Sequence, residues 1–167
     1  MFPQRREPRG RWCADRKLYV ASCDCHGLGD NAFARGRWNH KTLMARIRFD
    51  FGSLKLDAEL LDTPTAIAVA AALPLSSAVL TWGEEVYFDI PVDMPREKDA
   101  RAVVTPGEIA YWPQGPAIAI GFGRTPISQG NETRLASPCN VFARALGDVK
   151  TLGKVKTGVK VEVTKLD

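Results

Sequence analysis

The chain has 167 residues, 45% of them hydrophobic and 25% charged, with a formal net charge of +4. That composition fits one ordinary globular domain and leaves no apolar run near the roughly 18–20 residues that cross a bilayer as a helix. The charge is uneven: residues 1–43 hold nine basic and four acidic side chains (+5), residues 44–167 fourteen and fifteen (−1), so the body lacks the basic footprint of a nucleic-acid binder.

Residues 1–43 show neither a helical nor a strand apolar period. They contain Cys13, Cys23, Cys25, His26 and His40. Structural zinc sites use a C-x₂₋₄-C knuckle, which this spacing lacks, so no metal is expected. Disulfides are not expected in a cytoplasmic protein. Arg5, Arg6, Arg9, Arg11 and Arg16 would suit a nucleic-acid arm. Two plainer readings stand open: a disordered basic tail, or a mis-assigned gene start ahead of a true start at Met44. With no apolar segment behind the first arginines, no secretory signal is expected and the cytoplasm is the default compartment.

The body is read as one domain over 44–167. Ile47, Phe49 and Phe51 alternate with Arg46, Arg48 and Asp50, and after Gly52-Ser53 the alternation resumes through Leu54, Leu56, Ala58 and Leu60. This is a β-hairpin with glycine at the first turn position. A two-residue turn sets Asp50 opposite Lys55, Arg48 opposite Asp57 and Arg46 opposite Glu59, all of opposite sign. Thr63-Pro64 starts a helix, as cap and first residue, and Pro74 ends it; Ile67, Ala70 and Ala71 are expected to face the sheet. Leu75–Leu80 is extended. In the next strand Val86, Phe88 and Ile90 share one face, and Glu85, Tyr87 and Asp89 the other. Residues 94–99 form a charged loop and 102–104 a short strand. Strands over 108–112 and 117–122 are joined across Pro113-Gln114-Gly115-Pro116. Residues 128–137 read as a polar loop, 140–146 as a strand, Asp148 as a cap, and Val159, Val161 and Val163 as the last alternating strand. About eight strands and two helices suggest a closed or nearly closed β-barrel.

The segments Thr81–Phe88, Gly107–Pro113, Phe122–Pro126 and Ala136–Val141 resemble a cyclophilin-like family of small bacterial and archaeal proteins, atypical relatives of the cyclophilin peptidyl-prolyl isomerases. The resemblance spans about Met44 to Val163. It implies a mainly β fold, a closed eight-stranded barrel with one or two short helices over its ends. In true cyclophilins the pocket lies on the outer barrel face and a catalytic arginine follows a Phe-His pair. The best match here is Tyr87-Phe88-Asp89, which sets Asp89 in the arginine's place. There is no arginine from Thr81 to Met94, so isomerase activity is expected to be low unless Arg96 or Arg124 substitutes.

Trp82, Glu85, Tyr87, Trp112 and Phe122 are the expected ligand-binding residues, for a peptide segment or small ligand. Glu85 and Tyr87 share a strand face, Trp112 ends a strand beside Pro113, and Phe122 lies between glycines that leave room for a close approach. For Phe122 the alternative is the barrel core beside Ile118 and Ile120. Glu84 and Glu85 point to opposite strand faces, which argues against an acid–base dyad. An enzyme of other chemistry would use Glu85 or Asp89. Gly121-Phe122-Gly123 lacks the third glycine of a dinucleotide fingerprint, and no cofactor is expected. Ser128 and Ser137 have no histidine in the body to serve as base. Cys139 reads as a buried small residue. A chain beginning at Met44 is expected to be about as stable as the whole chain in thermal melts. A loss beyond about 2 kcal/mol, the upper range of an ordinary single substitution, would show that the tail docks.

Overall fold

The structure, a computed structural model, describes residues 45–166. The expectations for residues 1–43, including the reading of Cys13, Cys23, Cys25, His26 and His40, lie outside the described residues. In chain order the elements are β1 (Arg46–Asp50), β2 (Lys55–Leu60), α1 (Pro64–Ala72), β3 (Leu75–Ala78), β4 (Leu80–Thr81), β5 (Glu85–Asp89), β6 (Arg101–Val104), β7 (Glu108–Trp112), β8 (Ala117–Gly121), β9 (Thr133–Ala145), a 3-10 helix (Val149–Lys154) and β10 (Lys160–Leu166). No helix among the described residues is long and apolar enough to cross a membrane.

The first hairpin has the register its charges require. Arg46 pairs with Glu59, Arg48 with Asp57 and Asp50 with Lys55. Arg48 donates two bonds to Asp57, at 2.7 and 2.8 Å, and Lys55 lies 2.9 Å from Asp50. Gly52 takes φ 83°, the left-handed turn geometry that glycine adopts without penalty. On the opposite face Ile47, Phe49, Leu56 and Ala58 enter the main core, where Phe49 meets Phe88 edge to face at 6.2 Å.

The strands form one ten-stranded sheet in the order β3-β10-β1-β2-β9-β7-β8-β5-β4, with β6 paired to β9 off this path. The expectation of a closed eight-stranded ring is corrected here: the ladder is an open path. Its ends, β3 and β4, are separated in the chain only by Val79. The reason lies in how the segment 75–81 divides its hydrogen bonds. Its first half pairs with β10 and its last two residues with β5. Val79 itself donates to Val159 at 2.8 Å and accepts from Gly158 at 2.7 Å.

The helix also departs from expectation. Thr63 caps it, accepting from the Ala66 amide at 3.1 Å, and Thr65, Ala66 and Val69 are buried. Ile67 is 66% exposed and Ala71 is exposed as well. A helix of almost uniformly apolar residues has no polar stripe to mark its solvent side, so periodicity could not choose the face. Polar anchoring chose it instead. The Thr65 amide and hydroxyl donate to Glu97 at 2.9 and 2.6 Å, and Asn140 Nδ2 donates to the Thr65 hydroxyl at 3.0 Å.

Strands β7 and β8 are buried on both faces. Ile109, Tyr111, Ile118 and Ile120 join the main core; Ala110 and Ala119 join a second cluster with Val104, Leu135, Cys139 and Val141. That second cluster exists because β9 changes partners along its length. Its later residues pair with β7 and β2, while Thr133, Arg134 and Cys139 pair with β6. Residues 133–137, expected as loop, are therefore strand. Their apolar pattern is irregular, and the pairing with β6 shifts register between Arg101 and Val103, so no clean alternation announces it.

The ribbon of β6 and early β9 lies against the outer face of β8. A Cβ built on Gly121 would fall 2.5 Å from Thr133 Cγ2, with Leu135 and Val104 side chains next nearest. Glycine is needed here for contact rather than for a turn. Gly121→Ala is expected to cost about 1–3 kcal/mol, the usual range for overpacking, in denaturant unfolding. Thr133→Ser, which removes the obstructing methyl, should recover part of the loss. Simple additivity of the two substitutions would rule out this contact as the cause.

Candidate functional site

Between the ribbon and the outer sheet face is a cavity of about 190 Å³, lined by Trp82, Glu85, Tyr87, Trp112, Ala117, Ala119, Leu135, Ala136 and Cys139. The register explains its shape. Across the outer face Tyr87 pairs with Ala119 and Glu85 with Gly121, and Trp112 pairs with Ala117. Alanines form a low floor between aromatic walls. Larger side chains on β8 would fill the space.

Each wall is held in place. Trp82 sits in the turn between β4 and β5, where its amide donates to the Glu85 carbonyl at 3.0 Å. Gly83 has φ 63° there, and a Cβ on it would lie 2.8 Å from the Arg124 carbonyl oxygen. Trp112 Nε1 donates to the Ser137 hydroxyl at 2.7 Å. Its ring packs so closely on Gly115 that a Cβ there would fall 2.7 Å from Cζ3. Tyr87 is half-buried and packs on the outer cluster.

Glu85 is 5% exposed, and its Oε2 is buried without a hydrogen-bond partner. Desolvation raises its pKa from 4.5 to about 7, because removing a carboxylate from water disfavours the charged form. Beside it Cys139 is 1% exposed. Burial, and then the charge of Glu85, push the thiol up to about 12. That keeps Cys139 protonated at neutral pH and makes it a poor nucleophile; its Sγ donates to the Ser137 carbonyl at 3.2 Å.

Trp82, Glu85, Tyr87 and Trp112 thus share one concavity, and Phe122 does not line it. Phe122 instead packs against the main core. The room left by its flanking glycines is taken by the protein's own groups. Thr133 approaches Gly121, and a Cβ on Gly123 would collide with Glu84 Oε2. Glu84 turns away from Glu85, as strand alternation requires, and accepts from the Arg124 amide at 2.7 Å. Asp89, Arg96 and Arg124 are exposed and are not among the lining residues. Asn140 is fully buried and ties the chain together. It accepts from Glu97 N at 2.9 Å and donates to the Pro95 carbonyl at 2.9 Å. Tyr111 is interior, its hydroxyl donating to the Val92 carbonyl at 2.7 Å. Among the described residues no group of three or more His, Cys, Asp or Glu is placed to hold a metal.

Sequence reading missed the floor and the roof. The floor has a legible signal: Ala117-Ile118-Ala119-Ile120-Gly121 alternates small and large, which marks a strand face that another segment approaches. Leu135, Ala136 and Cys139 carry no such signal, because their place depends on the fold-back of β9.

A family model described as Cyclophilin-like matches residues 45–164, and the chain belongs to that cyclophilin-like family. Among solved structures it is similar to the solution structure of a hypothetical protein from Archaeoglobus fulgidus, at 36% identity and a TM-score of 0.65, covering 74% of this chain and 96% of that one. No curated protein matches significantly.

Glu85 makes stability depend on pH. Its pKa is higher folded than unfolded, so the folded state retains a proton that the unfolded chain releases between about 4.5 and 7. Stability therefore falls as pH rises through that window. The loss is on the order of 3 kcal/mol once complete. Glu85→Gln should be near neutral at pH 4 and stabilising at pH 8, measured by urea unfolding at each pH. Equal effects at both pH values would contradict the burial of an unpaired carboxylate.

Proposed function

We propose that this protein is a binding module whose outer-face cavity accepts a single side chain of a peptide segment or a small ligand. The observation that carries this reading is one cavity in which three aromatic residues surround a buried, unpartnered carboxylate oxygen. Apolar walls with few polar groups are the usual composition of ligand sites, and perturbed titratable groups concentrate at functional sites. The volume, about 190 Å³, is below the roughly 300–1,000 Å³ of pockets for drug-sized molecules. It suits a side chain or small head group rather than a dinucleotide.

Prolyl isomerisation is the weaker reading. Rotation about X–Pro faces a barrier of about 18–20 kcal/mol, and the cyclophilin resemblance assigns the key donor to an arginine. No arginine lines this cavity. Loss of one preorganised donor typically costs about 10²–10³ in rate. An acid–base role for Asp89 has no support from its exposed position, which leaves Glu85 as the one buried carboxylate of the cavity.

Titration of ¹⁵N-labelled protein with short peptides, X–Pro sequences among them, tests the binding reading. The indole signals of Trp82 and Trp112 should shift together. If no peptide, amino-acid amide or small amine moves either indole, the cavity is not a ligand site. A protease-coupled assay on the same X–Pro peptides should give a rate near the uncatalysed one; a rate like that of a true cyclophilin would reinstate isomerisation.

A further inference from the structure

We infer that the cavity takes an organic cation, an alkylammonium head seated among Trp82, Tyr87 and Trp112 against the Glu85 carboxylate. This rests on the binding reading above and names the chemistry of its ligand.

The Glu85 carboxylate lacks a partner. Carboxylates are rarely buried unless paired, because an unpaired buried charge is costly. Glu85 Oε2 is buried and makes no bond. No lysine, arginine or histidine lines the cavity around it. From the elements packed around Glu85, β5 contributes the Tyr87 phenol and β9 the Cys139 thiol, and these are the other titratable groups of the wall. Strands β7 and β8 contribute Trp112, Ala117 and Ala119, none of them titratable. The site therefore contains a potential negative charge and no positive one. Glu84, next in sequence, is occupied with the Arg124 amide.

The walls narrow the choice of cation. A metal ion of the calcium or magnesium type needs several oxygen ligands, and this cavity offers one carboxylate among apolar and aromatic groups. Aromatic faces attract cations through their quadrupole, and rings grouped around a quaternary or alkylated ammonium are a recurrent recognition device. The alkyl groups of such a head also match the alanines of the floor. A cavity of about 150 Å³ is already large enough for benzene, so 190 Å³ admits an ammonium with several carbons. An anion would meet the Glu85 carboxylate directly. A bound cation stabilises the charged form of Glu85 and opposes the desolvation that holds its pKa near 7. Binding should therefore strengthen as pH rises from 5 to 8.

Three probes test this by calorimetry and by the Trp82 and Trp112 indole shifts: choline, its uncharged isostere 3,3-dimethylbutanol, and Nα-acetyl-lysine N-methylamide. Choline's charge does not titrate, so any pH dependence belongs to the protein. At pH 8 one or both cations should bind roughly tenfold or more tighter than the isostere, and the preference should shrink at pH 5. Glu85→Gln should remove the preference and leave the isostere unchanged, and its melt at pH 8 shows that it folds. Choline alone binding points to a free small ammonium cation as the source; the lysine amide alone binding points to a peptide lysine. Either supports the inference. An isostere that binds as tightly as choline overturns it and leaves the cavity as a ligand site for neutral groups. No shift with any probe also overturns it, and the peptide titration then decides separately whether the cavity binds anything. Unchanged choline affinity in Glu85→Gln also overturns the inference, because the cation would then not be held by that carboxylate.

Discussion

The approach of the Thr133 side chain to Gly121 is the contact on which the rest of the site depends. The outer face of β8 presents Ala117, Ala119 and Gly121, and side chains this small let a second layer come close. At Gly121 the approach is complete, with no space for a Cβ before Thr133 Cγ2. Toward Ala117 and Ala119 it is incomplete, and the remaining space is the cavity. Glu85, the register partner of Gly121, lies in that cavity beneath Leu135, Ala136 and Cys139 of β9. One packing choice thus buries apolar surface, shapes a pocket and desolvates a carboxylate.

Those three consequences do not have the same sign. The apolar burial stabilises the fold. The desolvation of Glu85 destabilises it whenever the carboxyl is charged, and Glu85 has no internal cation to offset this. Glutamine would fit a similar space without a charge, so stability alone gives no reason for glutamate. Groups that break local rules without local compensation tend to mark functional sites. Among the described residues, the other buried polar side chains are satisfied by contrast. Glu108, 8% exposed, receives Arg101 at 2.7 Å and the Thr105 amide at 2.9 Å. Asn140 uses both ends of its amide on Pro95, Glu97 and Thr65.

The comparison with cyclophilins turns on electrostatics as well as fold. The cyclophilin-like family model matches residues 45–164, and the cavity lies on the outer face of the sheet. The resemblance to true cyclophilins sets Asp89 at the place of their catalytic arginine, and Asp89 is exposed and does not line the cavity. This cavity holds a carboxyl, and the arginines considered as substitutes, Arg96 and Arg124, are exposed and do not line it. The shared scaffold alone therefore does not fix the ligand.

Much of this was legible in the sequence because it is encoded locally. The period-2 pattern and the matched charges of residues 46–59 admit one hairpin register, since a shift by one residue would exchange buried and exposed faces. Alternation in β5 was enough to separate Glu85 and Tyr87 from Val86 and Phe88, and to turn Glu84 away from its neighbour. Trp82 and Trp112 could be placed at strand ends beside turns. The remainder depended on distant segments. Whether Ile67 or Val69 faces the core was decided by Thr65 binding Glu97 and Asn140, far along the chain. Whether the glycines around Phe122 leave space for a ligand was decided by Thr133 and Glu84, which occupy it. Whether Glu85 is a solvated strand residue or a buried unpaired acid was decided by the fold-back of β9. Strand alternation gives a side chain's face, but tertiary packing decides whether water or protein covers that face.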